Sequence, residues 1–191
     1  MKRTNPKKAV LKITAIILTF ILIIFAVIFF SYKSVLKVMY PQKQTTLIEQ
    51  YATEYGIDDA LVYAVIKTES GFDSKAESDA GALGLTQITP ETFKWLQSKT
   101  GETLEDTALL DAETSIKYGC LFLSMLVDEF GETKTAVAAY HAGRGSVNGW
   151  LKDKEYSENG KSLNKIPSKD TSHYVHKVTN AINIYKNLYN I

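Results

Sequence analysis

Several residue types are scarce in this chain, and each shortage excludes a class of protein. The 191 residues include a single cysteine, Cys120, so no disulfide can form within the chain. Lys and Arg number 22 against 21 Asp and Glu, which excludes the strongly basic surface of a nucleic-acid-binding domain. Only three histidines are present, and they lack the spacing of a zinc site. We therefore expect no metal, no other cofactor and no nucleic acid, and we expect Cys120 to be buried in the core.

One apolar run near the N-terminus is long. Residues 13–30 carry no charge and consist mainly of Ile, Leu, Phe and Val. A helix that crosses a bilayer needs about 20 residues, so these 18 are at the lower limit. We predict a transmembrane signal anchor at 13–30 and a short stalk at 31–44. A cleaved signal peptide and a buried core helix are the alternatives, but the run is long for a signal peptide and no small-residue cleavage site follows it.

Basic residues are concentrated before this run. The five that precede it are Lys2, Arg3, Lys7, Lys8 and Lys12, whereas only Lys33, Lys37 and Lys43 follow closely. The positive-inside rule therefore predicts that residues 1–12 lie in the cytoplasm. The chain would cross the cell membrane once and place everything after the span on the extracytoplasmic side.

Residues 45–191 show helical periodicity and no strand-like alternation longer than a few residues, which predicts one all-α domain. Gly56, Gly101 and Gly131 are predicted helix stops. The predicted N-terminal caps are Asp58, Thr89, Asp111 and Thr171. Short helices are predicted at 135–140 and 147–151, and a polar surface segment at 152–169.

A carboxyl group occupies the apolar face of one predicted helix. Glu69 follows Val65 by four residues, Val62 by seven and Leu61 by eight, at the last turn of the helix. Burial and the negative end of the helix dipole both disfavour its charged form, which would raise its pKa and suit a general acid. A Glu that bends out to solvent is the alternative.

Other polar side chains are placed at breaks between apolar helices. Ser78 and Gln87 lie in a Gly-rich segment, and Tyr140 ends another helix. Helix ends that face a common cleft are a frequent way to build a site from rigid parts. Each position taken singly has an alternative interpretation. The Gly-rich segment could form only a tight turn, Gln87 could cap a helix or pack, and Tyr140 could be a core residue.

Four blocks of sequence resemble, in the same order, the soluble-lytic-transglycosylase-like (SLT, family-one) catalytic domain of bacterial peptidoglycan lytic transglycosylases. The blocks are residues 69–72, Ser78 with 81–90, residues 139–143 and residues 171–175. They cover nearly all of the predicted outer domain. The resemblance implies a lysozyme-like helical fold of the goose-type lysozyme and SLT kind, here preceded by a transmembrane helix.

The resemblance also implies a reaction and a set of residues. Peptidoglycan glycan strands would be the substrate, in cell wall remodelling. Glu69 would be the single catalytic residue, acting as acid and then as base, and the MurNAc-β-1,4-GlcNAc bond would be cleaved without water to leave 1,6-anhydro-MurNAc ends. The substrate-binding residues carried over are Ser70, Ser78, Gln87, Tyr140 and Tyr174. The Tyr140 hydroxyl would point at Glu69, and Glu77 and Asp79 are expected to be solvated.

Three positions depart from the family pattern. Thr86 stands where Met is common, His141 where Asn is common, and Asp170 where Glu is frequent. Thr86 and His141 would lie near the cleft, so they bear on substrate preference rather than on the type of reaction. A hydrolytic muramidase of the same fold and a catalytically inactive peptidoglycan-binding module are the functional alternatives. The sequence does not indicate protein partners in the cell envelope.

Overall fold

The computed structural model describes residues 6–191, and within them the secondary structure is helical. The elements are α1 (Pro6–Met39), α2 (Thr45–Tyr55), α3 (Asp59–Glu69), α4 (Pro90–Thr100), a 3₁₀ helix (Asp106–Leu110), α5 (Ala112–Phe130), α6 (Thr133–Ala142), α7 (Arg144–Leu151) and α8 (Lys169–Tyr189). The described residues contain no strand, only isolated β-bridges that join Leu83 to Glu77 and to Ile88. The predicted all-α class is confirmed.

The chain divides into two compact units, residues 1–41 and 42–191. The first contains α1, which from Val10 to Met39 is long and apolar enough to cross a membrane. Its large apolar side chains are exposed, so they need an apolar environment that the unit itself does not supply. α1 includes the predicted span at 13–30 and continues to Met39, well into the predicted stalk. Residues 1–5 of the predicted cytoplasmic segment lie outside the described residues.

The second unit is organised around α3. Seven consecutive residues of this helix, 60–66, are buried, as expected for a helix that is covered on all sides. Its main contact is with α8, which also packs against α6, while α5 packs against α2 and α6. Cys120 lies fully buried on α5, as predicted, and burial raises the pKa of its thiol.

The predicted caps are confirmed for three helices and wrong for one. Asp58, Thr89 and Asp111 each accept a backbone N–H of the first turn that follows. α8 is instead capped by Ser168, which has extended backbone geometry and accepts the N–H of Thr171. Thr171 is buried inside the first turn. Because Ser and Thr stand three residues apart here, both match the capping pattern, and the burial of Thr171 decides between them.

The shorter elements differ from prediction at their ends. α6 begins at Thr133 rather than 135, and α7 begins at Arg144 rather than 147. The 3₁₀ helix before α5 was not predicted. The segment 152–168 is non-helical, as expected, but it is attached to α6 because the buried Leu163 donates its N–H to Thr135 Oγ1 across 3.1 Å.

Two glycines permit close approaches that hold the loop between α3 and α4 against the 3₁₀ helix and α5. At Gly84, where φ is +73°, a Cβ would lie 1.9 Å from the carbonyl oxygen of Leu109. At Gly119, on α5, a Cβ would lie 2.4 Å from Cγ2 of Thr86. The loop therefore lies directly on the backbone of its neighbours, and its position is fixed by the absence of side chains there.

We expect Gly119→Ala to lower the free energy of unfolding by about 2 to 3 kcal/mol, because the stiff β-branched Thr86 cannot move away from the added methyl. Urea denaturation monitored by circular dichroism would measure the change. Gly149→Ala is the matched control: Gly149 lies inside α7 with nothing within 4 Å of the added Cβ. That variant should be neutral or stabilising by about 1 kcal/mol. Equal effects of the two substitutions would contradict the close approach at Gly119.

Candidate active site

Glu69 is the last residue of α3, a helix that is buried along most of its length in the second unit. Asp58 starts the helix by accepting the N–H of Ala60, and the apolar positions one and two turns before Glu69 are buried. Glu69 itself is partly buried. Its carboxyl group therefore leaves the helix at the boundary between core and surface, as the apolar spacing predicted.

The surroundings of Glu69 favour its protonated form. Burial raises the pKa of Glu69 from 4.5 to about 7, while a hydrogen bond from Tyr174 opposes the rise. The Tyr174 hydroxyl donates to Glu69 Oε1 across 2.6 Å. Near neutral pH both forms of the carboxyl group are populated, so Glu69 can give up a proton and take one back.

Tyr174 is the aromatic residue that orients Glu69. It is buried on α8, and its ring packs against the imidazole of His141 in a tilted contact with 4.5 Å between the centroids. The Tyr140 hydroxyl, expected to point at Glu69, lies within electrostatic range of that carboxyl group but makes its hydrogen bond elsewhere. Tyr140 donates instead to the carbonyl oxygen of Thr86 across 2.6 Å, because α6 directs its side chain to the loop.

The loop between α3 and α4 is held by the polar side chains that the sequence marked. Ser70 Oγ donates to the carbonyl oxygen of Leu85 across 2.8 Å, which ties the end of α3 to the loop. Ser78 Oγ accepts the N–H of Ala82. Gln87 Nε2 donates to the carbonyl oxygens of Ala76 and Gly84. All three side chains thus bind backbone groups of the loop.

Thr86, one of the departures from the family pattern, belongs to this loop and is completely buried on its inner side, against α5. Its hydroxyl donates to the carbonyl oxygen of Ser115 across 2.9 Å, and its backbone N–H donates to Ser115 Oγ across 3.2 Å. The sequence alone does not single out Ser115, since a serine in the first turn of a helix gives no signal of a role beyond the helix itself. A small, hydrogen-bonding residue at 86 fits this polar pair and the close approach of Gly119.

The other carboxyl groups of the loop do not join Glu69. Glu77 and Asp79 are exposed, in keeping with their polar run of sequence. Among the described residues, the pKa of Glu69 is set by burial and Tyr174, not by the charge of a second carboxylate. No group of three His, Cys, Asp or Glu within residues 6–191 is arranged to hold a metal ion. The site therefore has one carboxyl group available for proton transfer.

An all-helical unit with one proton-retaining carboxyl group at a helix end agrees with the lysozyme-like domain that the sequence resemblance implies. The chain belongs to the Transglycosylase SLT domain family, whose model matches residues 46–163. This match confirms the resemblance drawn from the four sequence blocks, and it ends before α8, the helix that carries Tyr174.

Individual relatives agree with the family assignment. A transglycosylase of Enterobacteria phage PRD1 is 33% identical over 115 residues, which cover 60% of this chain and 40% of that protein. Membrane-bound lytic murein transglycosylase C of Cronobacter sakazakii is 30% identical over 169 residues, covering 75% of this chain and 46% of the relative. The chain thus spans less than half the length of these two relatives.

Solved structures of the same family share the fold. An inactive Glu-to-Gln mutant of lytic transglycosylase Slt from Pseudomonas aeruginosa superposes with a TM-score of 0.72 at 30% identity, over 81% of this chain and 26% of that one. The lysozyme-like fold expected from the sequence is confirmed.

The raised pKa of Glu69 predicts a pH-dependent effect of Glu69→Gln on stability. Between pH 4.5 and about 7 the folded state keeps a proton that the unfolded state has lost, so the wild type becomes less stable as the pH rises. At pH 4 the free energy of unfolding of Glu69→Gln should be nearly that of the wild type. At pH 8 the variant should be more stable than the wild type by about 2 to 3 kcal/mol. Urea titrations at both pH values measure this difference, and a constant difference would contradict the raised pKa.

The two tyrosines near the site should have separable effects. Tyr174→Phe removes the hydrogen bond that stabilises the carboxylate, so the pKa of Glu69 should rise by about 1 pH unit above its wild-type value. Tyr140→Phe should leave that pKa unchanged and lower the free energy of unfolding by about 1 to 2 kcal/mol, because the buried Thr86 carbonyl loses its donor. Carbon-13 NMR titration of the Glu69 carboxyl measures the first effect. A shift caused by Tyr140→Phe alone would reverse the roles assigned to the two residues.

Proposed function

We propose that this chain is a peptidoglycan lytic transglycosylase that cleaves the MurNAc-β-1,4-GlcNAc bond without water and leaves 1,6-anhydro-MurNAc ends. The observation that carries the proposal is a lone, partly buried carboxyl group, Glu69, whose pKa of about 7 lets it act as acid and base in turn. Membership of the SLT domain family and relatives named lytic murein transglycosylases support peptidoglycan as the substrate.

The first step is proton donation by Glu69. The protonated carboxyl group gives its proton to the oxygen that links C1 of MurNAc to GlcNAc, and the C1–O bond breaks. The GlcNAc part leaves with the new hydroxyl group, and the acetamido group of the muramoyl residue stabilises the positive charge at C1. The Tyr174 hydroxyl remains a donor to Glu69 and stabilises the carboxylate formed in this step.

The second step uses the carboxylate that the first step produced. Glu69 takes the proton of the C6 hydroxyl on the same muramoyl residue, and O6 bonds to C1 to close the 1,6-anhydro ring. Glu69 is protonated again and no water is consumed. Most glycosidases need a second carboxyl group, which either activates a water molecule or forms a covalent intermediate with the sugar. This route does not, which agrees with the exposure of Glu77 and Asp79.

The remaining predicted substrate-binding residues would form the wall of the site on the muramoyl side. Ser70, Ser78 and Gln87 hold peptide groups of the loop in place, and Tyr140 fixes the loop from α6. Their contribution to substrate binding is mainly indirect: they fix the shape of the loop. The glycines of the loop allow its backbone to approach a sugar closely. Tyr174 contributes by orienting Glu69.

We further propose that the protein crosses the cell membrane once, with residues 45–191 as an extracytoplasmic catalytic domain. The support is the apolar α1, the excess of basic residues before it, and relatives named as membrane-bound. This arrangement places Glu69 on the side of the membrane where peptidoglycan lies.

The test is digestion of purified sacculi by the full-length protein in detergent micelles, with mass spectrometry of the released muropeptides. Wild type should release anhydro-ended products, and Glu69→Gln should reduce the rate at least about a hundredfold, the usual contribution of a general acid. Glu77→Gln is the control and should retain activity, because Glu77 is exposed. Reducing ends would identify a hydrolytic muramidase instead, and sacculi bound but uncut by wild type would identify an inactive binding module.

A further inference from the structure

We propose that His141 is a specificity-determining residue, which accepts a hydrogen bond from an amide N–H of the glycan substrate. The inference rests on the proposed function and adds to it a contact for a residue that departs from the family pattern. The donor would be the acetamido group of a sugar or the first peptide bond of a stem peptide, and these two sources share the same chemistry.

His141 lies at the surface beside Tyr174, the residue that orients Glu69. It is exposed at the end of α6, and its imidazole packs in a tilted contact with the Tyr174 ring, with 4.5 Å between centroids and 32° between ring planes. The hydroxyl of the same Tyr174 donates to Glu69. Glu69 and His141 thus contact the same tyrosine, and a substrate with its scissile bond at Glu69 would lie near this imidazole.

The hydrogen bonds around His141 determine which ring nitrogen carries the proton. His141 Nδ1 lies 3.2 Å from Thr171 Oγ1, and the Thr171 hydroxyl gives its own hydrogen to Ser168 Oγ at 3.1 Å. Thr171 Oγ1 can then only accept from His141, so Nδ1 is the protonated nitrogen. In the neutral ring, Nε2 is left without a hydrogen and can act only as an acceptor.

The contact with α8 favours the neutral ring of His141. Partial loss of solvent on that side lowers the pKa of His141, and the carboxylate of Asp170 on α8 opposes this effect only in part. On α7, Arg144 is ion-paired with Glu129 of α5. On α3, Glu69 interacts with the hydroxyl of Tyr174, whose ring lies against His141. The acceptor at Nε2 is therefore present at neutral pH and is lost when the ring takes up a second proton in acid.

An amide N–H is the donor that best fits a fixed acceptor. A sugar hydroxyl can reverse its role and accept from the protonated ring, whereas an amide N–H can only donate. Every sugar of the proposed substrate carries an acetamido N–H. Protonation of His141 should therefore weaken binding of the glycan. An Asn or Gln at this position would not show this pH dependence, because its amide oxygen remains an acceptor at all pH values.

The experiment compares KM and kcat of the full-length protein in detergent micelles between pH 5 and pH 8, on soluble glycan strands with and without stem peptides. For wild type, KM should rise about five-fold towards pH 5, the effect of one neutral hydrogen bond. The KM of His141→Gln should be independent of pH. The KM of His141→Leu should be about five-fold higher than the wild-type value at pH 8, at every pH from 5 to 8. His173→Gln is the matched control, since His173 is an exposed histidine on α8. It should behave like wild type.

The outcomes separate the inference from the function on which it rests. A rise in KM on both glycans assigns the donor to an acetamido group, and a rise only on strands with stem peptides assigns it to the peptide. A flat KM in wild type, with activity still dependent on Glu69, overturns the role of His141 alone. Nitrogen-15 NMR of histidine-labelled protein at pH 8 checks the tautomer directly, and a proton on Nε2 of His141 would also overturn it. Activity that survives in Glu69→Gln overturns the proposed function instead.

Discussion

The contact between α3 and α8 is the constraint on which the site depends. Glu69 and Tyr174 are 105 residues apart in the chain, yet one hydrogen bond of 2.6 Å joins them. Burial favours the neutral form of this carboxyl group, and the Tyr174 hydroxyl limits the cost of the charged form, so both forms are accessible near neutral pH. The packing of two helices thus sets both the orientation and the proton affinity of Glu69.

The loop between α3 and α4 is a second element whose polar side chains serve the backbone. Ser70 and Gln87 bind peptide groups of the loop, and Thr86 binds the backbone of α5 beneath it. A loop with little regular structure would otherwise leave many buried N–H and C=O groups without partners, at considerable cost. The same hydrogen bonds give the loop one conformation, so the surface beside Glu69 is formed in advance of any ligand.

The sequence predicted what depends on local spacing and missed what depends on the packing of distant segments. Glu69 was found because its apolar neighbours recur at helical intervals, and Asp58 because a cap precedes its own helix. The sequence could not show that Tyr174, rather than Tyr140, donates its hydroxyl to Glu69. Both tyrosines lie on helices that reach the site, and only tertiary packing decides which hydroxyl bonds to Glu69. The choice of Ser168 over Thr171 as a cap likewise depended on burial by neighbouring helices.

The position of α8 in the chain determines how the domain can be divided. The family match ends at residue 163, but α8, at Lys169–Tyr189, covers α3 and supplies both the partner of Glu69 and the surface under His141. A fragment that stopped at 163 would expose the apolar side of α3 to water and leave the carboxyl group without its donor. The last 28 residues of the chain, 164–191, are therefore part of the smallest folding and functional piece of the second unit, although they lie outside the region matched by the family model.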